Sequence, residues 1–247
     1  MRLSVVVPVG PGDESWRSLL PDLAPLPAGD AEILLVAATG SRPAGFDPAD
    51  FGLRAETRWL EAPAGRATQQ NAGAASARGD LLWFVHADSR LPAATLAAAL
   101  QFAAGHALGY CELRFRADGP VLVRLNAWGA HWRSRLFRLP FGDQGLLLPR
   151  AVFESLGGFD PAVVVGEDHA LVAAARRAGV PVVPLGATIE TSARRYAEHG
   201  WLRTTARHWA LTLAQAWSLA RAGHRAQPGA AAGPGAGEGA ATREIRR

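Results

Sequence analysis

Short apolar runs closed by glycine or proline recur along the first hundred residues. Leu3–Val7 is β-branched and uniformly apolar, and Pro8 and Gly10 end it, which predicts a buried strand. Glu14–Leu23 follows as a candidate helix. Glu32–Ala37 predicts a second buried strand, ended by Gly40-Ser41, and Thr57–Leu60 a short third. Gly65–Arg78 is polar and alanine-rich, in the manner of a helix. Asp80–Val85 is another buried strand, and Ala93–Ala104 is rich in strong helix formers. Strands alternating with helices at this spacing predict an α/β fold with a mainly parallel central sheet and helices on both faces.

The second half is less regular. Gly109–Arg116 predicts a strand, Leu146–Leu148 a strand fragment, Ala151–Leu156 a short helix and His169–Ala178 a longer one. Val180–Val183 and Thr188–Glu190 predict two short strands, and Trp201–Ala222 a helix. Residues 223–247 are mostly Gly, Ala, Pro and Arg with little apolar mass, the composition of a disordered tail. One domain over 1–222, with halves at about 1–108 and 109–222, is the expected organisation.

Composition narrows the function. The chain has 247 residues, of which 49% are hydrophobic and 19% charged, so a packed core is expected. Its single Cys, Cys111, excludes a disulfide framework and a cysteine-based zinc site. All 26 basic residues are Arg, and the net charge of +4 admits nucleic acid, an anionic membrane or a phosphorylated ligand without choosing among them. The early Pro8, Gly10 and Pro11 argue against a secretory leader, and no uninterrupted apolar run is long enough to span a bilayer. The expected location is cytoplasmic.

A parallel sheet binds ligands beyond the carboxyl ends of its strands, so chemistry is sought directly after each one. After the first strand, Pro8-Val9-Gly10 shapes a turn able to lie against a flat base. Gly65 opens a helix whose N-terminus suits an anion, and Arg66 adds a planar guanidinium for phosphate. Gln69 and Asn71 offer neutral hydrogen bonds, and Gly73 permits close approach of helix to sheet. The strand ending at Val85 runs into His86-Ala87-Asp88. Asp88 offers oxygen to a hard divalent ion, which binds through one or two carboxylates plus substrate phosphates, or it caps the next helix. His86 is a second ligand or a diphosphate contact. The tetrad Gly142-Asp143-Gln144-Gly145 is polar and stands between the aromatic stretch and an apolar run. Glu167-Asp168 opens a helix, where the macrodipole favours carboxylates; one of the two would take the proton from an incoming hydroxyl and the other would brace it. Arg194 and Arg195 follow the last strand, placed either to contact phosphate or as a surface turn. Two aromatic, arginine-rich stretches, 121–141 and 201–222, are read first as core-facing stripes and second as a membrane-interface surface.

In this order the motifs resemble family 2 glycosyltransferases of the GT-A fold. They are most similar to the bacterial subgroup called radical-SAM/selenodomain-associated transferase 2, in which the His-Ala-Asp and Gly-Asp-Gln-Gly motifs recur. The likeness covers roughly residues 3 to 215. It implies a Rossmann-like sandwich, a nucleotide-diphospho-sugar donor, Mg²⁺ or Mn²⁺ at Asp88, Asp168 as base with Glu167 beside it, and inversion at the anomeric carbon. The resemblance further implies a hydroxyl acceptor, with Asp143 and Gln144 on the acceptor side, and a lipid-linked acceptor and peripheral membrane contact lie within the expectation. One departure stands out: Ala37-Ala38 occupy the place where the family usually carries an acidic residue for the base or ribose. The alternatives are a sugar-nucleotide-binding module of the same fold without turnover, and a nucleotidyltransferase, for which the chain lacks a lysine-bearing phosphate loop. No Gly-x-Gly-x-x-Gly follows the first strand, against a dinucleotide enzyme.

Overall fold

The computed structural model describes residues 1–206, apart from 44, 104 and 164 and the side chain of Arg195. The chain order is β1 (Leu3–Val9), α1 (Trp16–Leu23), β2 (Ala31–Ala38), β3 (Glu56–Ala62), α2 (Arg66–Ser76), β4 (Leu81–Phe84), α3 (Ala93–Leu100), β5 (Leu108–Phe115), α4 (Val123–Phe137), β6 (Leu146–Pro149), α5 (Arg150–Ser155), α6 (Glu167–Arg177), β7 (Val182–Thr191) and α7 (Arg194–His199). The strands form one seven-stranded sheet in the order β3-β2-β1-β4-β6-β5-β7. Pairing is parallel except at β6, which runs antiparallel to both β4 and β5.

Alternation along β1 explains the two layers. Val5, Val7 and Val9 point to one face with Ile33 and Leu35 and meet Trp16, Leu19, Leu20 and Leu23 of α1. Val6 points to the other face with Leu34 and Val36, in the layer formed by α2, α5 and α6. Gly73 of α2 sits where a Cβ would come within 2.4 Å of Val6 Cγ1, so this helix reaches the sheet only through a glycine, as the sequence suggests.

Three expectations are corrected. The two short strands expected over 180–190 are one, β7, because Pro184 pairs in register with Tyr110 and a bulge between Tyr110 and Glu112 absorbs the irregularity. The stretch 121–141 is not core-facing along its aromatic residues: α4 buries Val123, Ala130 and Ser134, while Trp128, Trp132 and Phe137 are exposed. Leu202 and Ala206, the first residues of the expected stripe in 201–222, are exposed as well. Trp201–Ala206 is helical; the remainder of that helix and the tail at 223–247 lie outside the described residues.

One buried charge ties the amino-terminal ends of the sheet together. Glu32 is fully buried in β2. Its carboxylate accepts from Ser4 Oγ (2.7 Å), from the backbone N–H groups of Arg78 and Gly79, and from Arg58 (3.0 Å). Burial alone would raise its pKa, but these donors outweigh it and hold the group below its ordinary value of 4.5. The stability it contributes is therefore complete above that value and is lost as pH falls through the lowered folded one. Glu32→Gln replaces an acceptor oxygen with a donor facing other donors. We expect a loss of about 2–4 kcal/mol in urea unfolding at pH 7, shrinking toward pH 3. An unchanged midpoint would contradict this role.

Candidate active site at the carboxyl ends of the strands

Asp88 follows β4 on a turn closed by the Ser89 N–H donating to the His86 carbonyl. Both His86 and Asp88 are half-buried. The capping alternative for Asp88 fails, because α3 begins at Pro92 with no side-chain cap. No described residue hydrogen-bonds the Asp88 carboxylate.

The antiparallel β6 brings the second half to this point. Leu146, its first residue, pairs with Phe84, the last of β4, so the tetrad before it lands beside the Asp88 turn. Gln144 is buried and structural, which corrects the acceptor-side assignment. Its Oε1 accepts from Ser134 Oγ (2.9 Å), Arg133 (3.2 Å) and the Phe141 N–H (3.0 Å), and its Nε2 donates to the Cys111 carbonyl (3.0 Å). Asp143 is held by that frame, with a buried Oδ1 that has no hydrogen-bond partner.

Gly166, with φ of 86°, turns the chain into α6 and puts Glu167 and Asp168 in its first turn. They are not equivalent. Glu167 is buried and ion-paired with Arg66 at 3.1 Å. Asp168 packs against Gly142, so closely that a Cβ there would come within 2.1 Å of Oδ2, and takes a hydrogen bond from the Gly142 backbone. Its buried Oδ1 has no hydrogen-bond partner.

The electrostatics join these groups into one site. Burial pushes Asp168 up to about 7, with Glu167 and Asp143 adding repulsion and Arg66 opposing it. Burial pushes Asp143 up to about 6, opposed by Arg133 and Arg66 and reinforced by Asp88. Asp143 thus feels Asp88 and Asp168 feels Asp143. Two residues that sequence reasoning did not assign to the site complete it. Arg133 of α4 stacks over Phe141 at 3.2 Å from the ring centroid and is pushed down to about 10 by burial. Tyr196 of α7 is pushed up to about 12 by burial and by Asp143. Their only sequence signal was proximity to quoted motifs.

On the donor side, α2 begins at Gly65 without a side-chain cap, leaving its first-turn N–H groups open, and Arg66 stands exposed beside them. Two expected ligand contacts are corrected to framework. Gln69 donates to the carbonyls of Val9 and Val36, fixing the spacing of β1 and β2 at their ends. Asn71 clasps the backbone of Phe159 with both amide atoms, beside Gly158. Pro8 is buried within β1, and Gly10 lies at its open end in a turn closed by the Asp13 N–H. Arg194 is exposed and bonds Ser192 Oγ; the Arg195 side chain lies outside the described residues. Asp13 accepts from the Ser15 N–H, and Glu14 pairs with Arg17. On the neighbouring strand β3, Glu61 is in register with Ala37, is exposed and accepts from the Gly40 N–H (3.2 Å).

A divalent ion fits this donor set when substrate oxygens complete its shell. Among the described residues no three His, Cys, Asp or Glu side chains are grouped to hold a metal alone. Asp88, without a hydrogen bond of its own and within electrostatic reach of Asp143, is a single hard ligand of the kind Mg²⁺ or Mn²⁺ uses together with phosphate oxygens and water.

The sheet order, the one reversed strand and the carboxylates at the strand ends define the GT-A type of α/β fold. The 1–349 fragment of TarS from S. aureus in complex with UDP-GlcNAc superposes with a TM-score of 0.60 at 18% identity, over 78% of this chain and 58% of that one. The mannosyltransferase PcManGT from Pyrobaculum calidifontis, in complex with GDP-Man and Mn²⁺, superposes with a TM-score of 0.60 at 18% identity, over 88% of this chain and 64% of that one. The chain therefore spans about three-fifths of the length of these neighbours. No protein-family profile matches it, and no curated protein does.

A carboxyl group whose folded pKa is raised keeps its proton where the unfolded chain has lost it. Asp168 therefore weakens the fold as pH rises from about 4 toward 7. Asp168→Asn should raise the melting temperature by several degrees at pH 8 and leave it nearly unchanged at pH 4. Equal effects at both values would contradict the assigned burial. Gly142→Ala should displace Asp168 and abolish any activity of the site, with a smaller loss of stability seen by calorimetry.

Proposed function

We propose that the chain is a metal-dependent, inverting glycosyltransferase that moves a sugar from a nucleotide-diphospho-sugar to a hydroxyl acceptor, in the manner of family 2. The observation carrying this reading is the convergence of Asp88, Asp143, Asp168 and the Arg66–Glu167 pair at the carboxyl end of a GT-A sheet. The neighbours' complexes with UDP-GlcNAc and with GDP-Man and Mn²⁺ support it by analogy.

In this mechanism the open N-terminus of α2 and Arg66 receive the donor diphosphate. The end of β1 at Gly10 lies beneath the nucleoside, and Glu61 offers its carboxylate to the ribose or base in place of the missing acid on β2. His86 and Arg194 flank the phosphates. Asp88 would hold Mg²⁺ or Mn²⁺, whose charge offsets that developing on the departing diphosphate. Asp168, raised toward neutrality, is matched to act as general base. It takes the proton of the acceptor hydroxyl as that oxygen bonds to the anomeric carbon and the bond from this carbon to the phosphate oxygen breaks on the opposite face. Glu167, neutralised by Arg66, braces the base. Asp143, on the acceptor side, orients the hydroxyl through its unpartnered oxygen.

Sugar transfer or donor hydrolysis should appear in a panel of uridine and guanosine diphospho-sugars supplied with Mn²⁺. Asp88→Asn and Asp168→Asn should each lower it by at least about 100-fold, the scale of removing a general base, while circular dichroism shows an intact fold. Retained turnover in both variants would reject the mechanism. Nucleotide-dependent thermal stabilisation without any turnover would instead favour a binding module, the reading that Ala37-Ala38 motivates.

A further inference from the structure

Helix α4 is apolar on two opposite sides. At about 3.6 residues per turn, its buried Val123, Ala130 and Ser134 face one way. Leu125, Trp128, Trp132 and Leu136 share the opposite face and are 56%, 65%, 43% and 66% exposed, with Val121 continuing the row at 75%. A row of this length is more than scattered surface apolarity and marks an interaction face. The helix contains no Asp or Glu. Arg124, Arg135 and Arg138 border the row and are exposed; Arg135 pairs with Glu112 at 2.8 Å, while Arg124 and Arg138 make no ion pair among the described residues.

We propose that the outer face of α4 seats the protein on an anionic lipid bilayer, with Leu125, Trp128, Trp132 and Leu136 entering the interface and Arg124 and Arg138 meeting lipid phosphates. Tryptophan and leucine on one side with arginine at the border is the pattern by which a helix lies in a headgroup layer. No described helix is long and apolar enough to cross a membrane, so the contact is peripheral among those residues. Charge complementarity selects the occupant. A second copy of this face would bring arginines against arginines. Residues 207–221 of the same chain carry Arg207 and Arg221 and no acid, so they offer α4 no opposite charge either. The inner side of α4 holds Gln144 through Arg133 and Ser134, next to Asp143. The bilayer would thus lie about one helix diameter, roughly 10 Å, from the acceptor-side carboxylate.

Flotation of the full-length protein with vesicles tests this, using phosphatidylcholine alone and phosphatidylcholine with phosphatidylglycerol. The wild type should float with the anionic vesicles, at least tenfold less with neutral ones, and less as salt is raised. The double variant Trp128→Glu/Trp132→Glu should lose at least tenfold of that binding at an unchanged melting temperature. Failure of the wild type to float, or equal flotation of the variant, overturns the proposal. A melting temperature that drops in the variant assigns the face to this chain's own C-terminal residues and overturns it too. So does a dimer in light scattering that the variant dissolves. Donor turnover in solution, measured on the same samples, reports separately on the transferase reading.

Discussion

Four buried or half-buried carboxylates, Asp88, Asp143, Glu167 and Asp168, crowd one end of the sheet, with Arg66 and Arg133 as the offsetting charges. Like charges in a low-dielectric setting repel strongly and raise one another's pKa. That is the direction seen at Asp143 and Asp168. The buried oxygens of these two residues that lack hydrogen-bond partners show the same imbalance in another form. In the proposed function, ligands would relieve this cost: phosphates at Arg66, a cation at Asp88, or an acceptor proton shared with Asp168.

The reversed strand makes the crowding possible. With every strand parallel, the loop before β6 would open at the far end of the sheet. Because β6 runs backwards between β4 and β5, its entry loop meets the exit of β4. Asp143 then comes within electrostatic reach of Asp88 and of Asp168. Gly142 lets the α6 carboxylate rest directly on that loop, and Gln144 fixes the loop to β5 through Cys111. The opposite end of the sheet is secured by Glu32, a carboxylate whose donors more than compensate its burial. The acids at the two ends therefore shift in opposite directions: Glu32 is held below its ordinary value, while Asp143 and Asp168 are pushed up.

Much of this was legible in the sequence. The β-branched runs located β1 and β2 to within two residues, although Pro8, read as a stop, lies inside β1. Asp88 was sought directly after a strand, Asp143 in a polar tetrad before an apolar run, and Asp168 at a helix start. Amide side chains were the main source of error. Gln69, Asn71 and Gln144 carry donors and acceptors suited to a ligand, but backbone carbonyls and N–H groups took them up, and a one-dimensional pattern does not show which partner is nearest. Long-range pairing was invisible too. Four residues, Leu146–Pro149, do not declare themselves a central antiparallel strand, and Pro184 reads as a break where a bulge accommodates it. Helix α4 was misread because its apolar residues were assigned to one buried stripe, whereas they occupy two faces.

The central claim is that Asp88 and a donor diphosphate jointly anchor a divalent ion beside Asp143 and Asp168. Anomalous diffraction from crystals grown with Mn²⁺ and a nucleoside diphosphate tests it most directly. The account predicts one strong manganese peak bonded to the Asp88 carboxylate and to phosphate oxygens, with the phosphates at the N-terminus of α2. A nucleotide bound elsewhere, or a manganese peak away from Asp88, would contradict it.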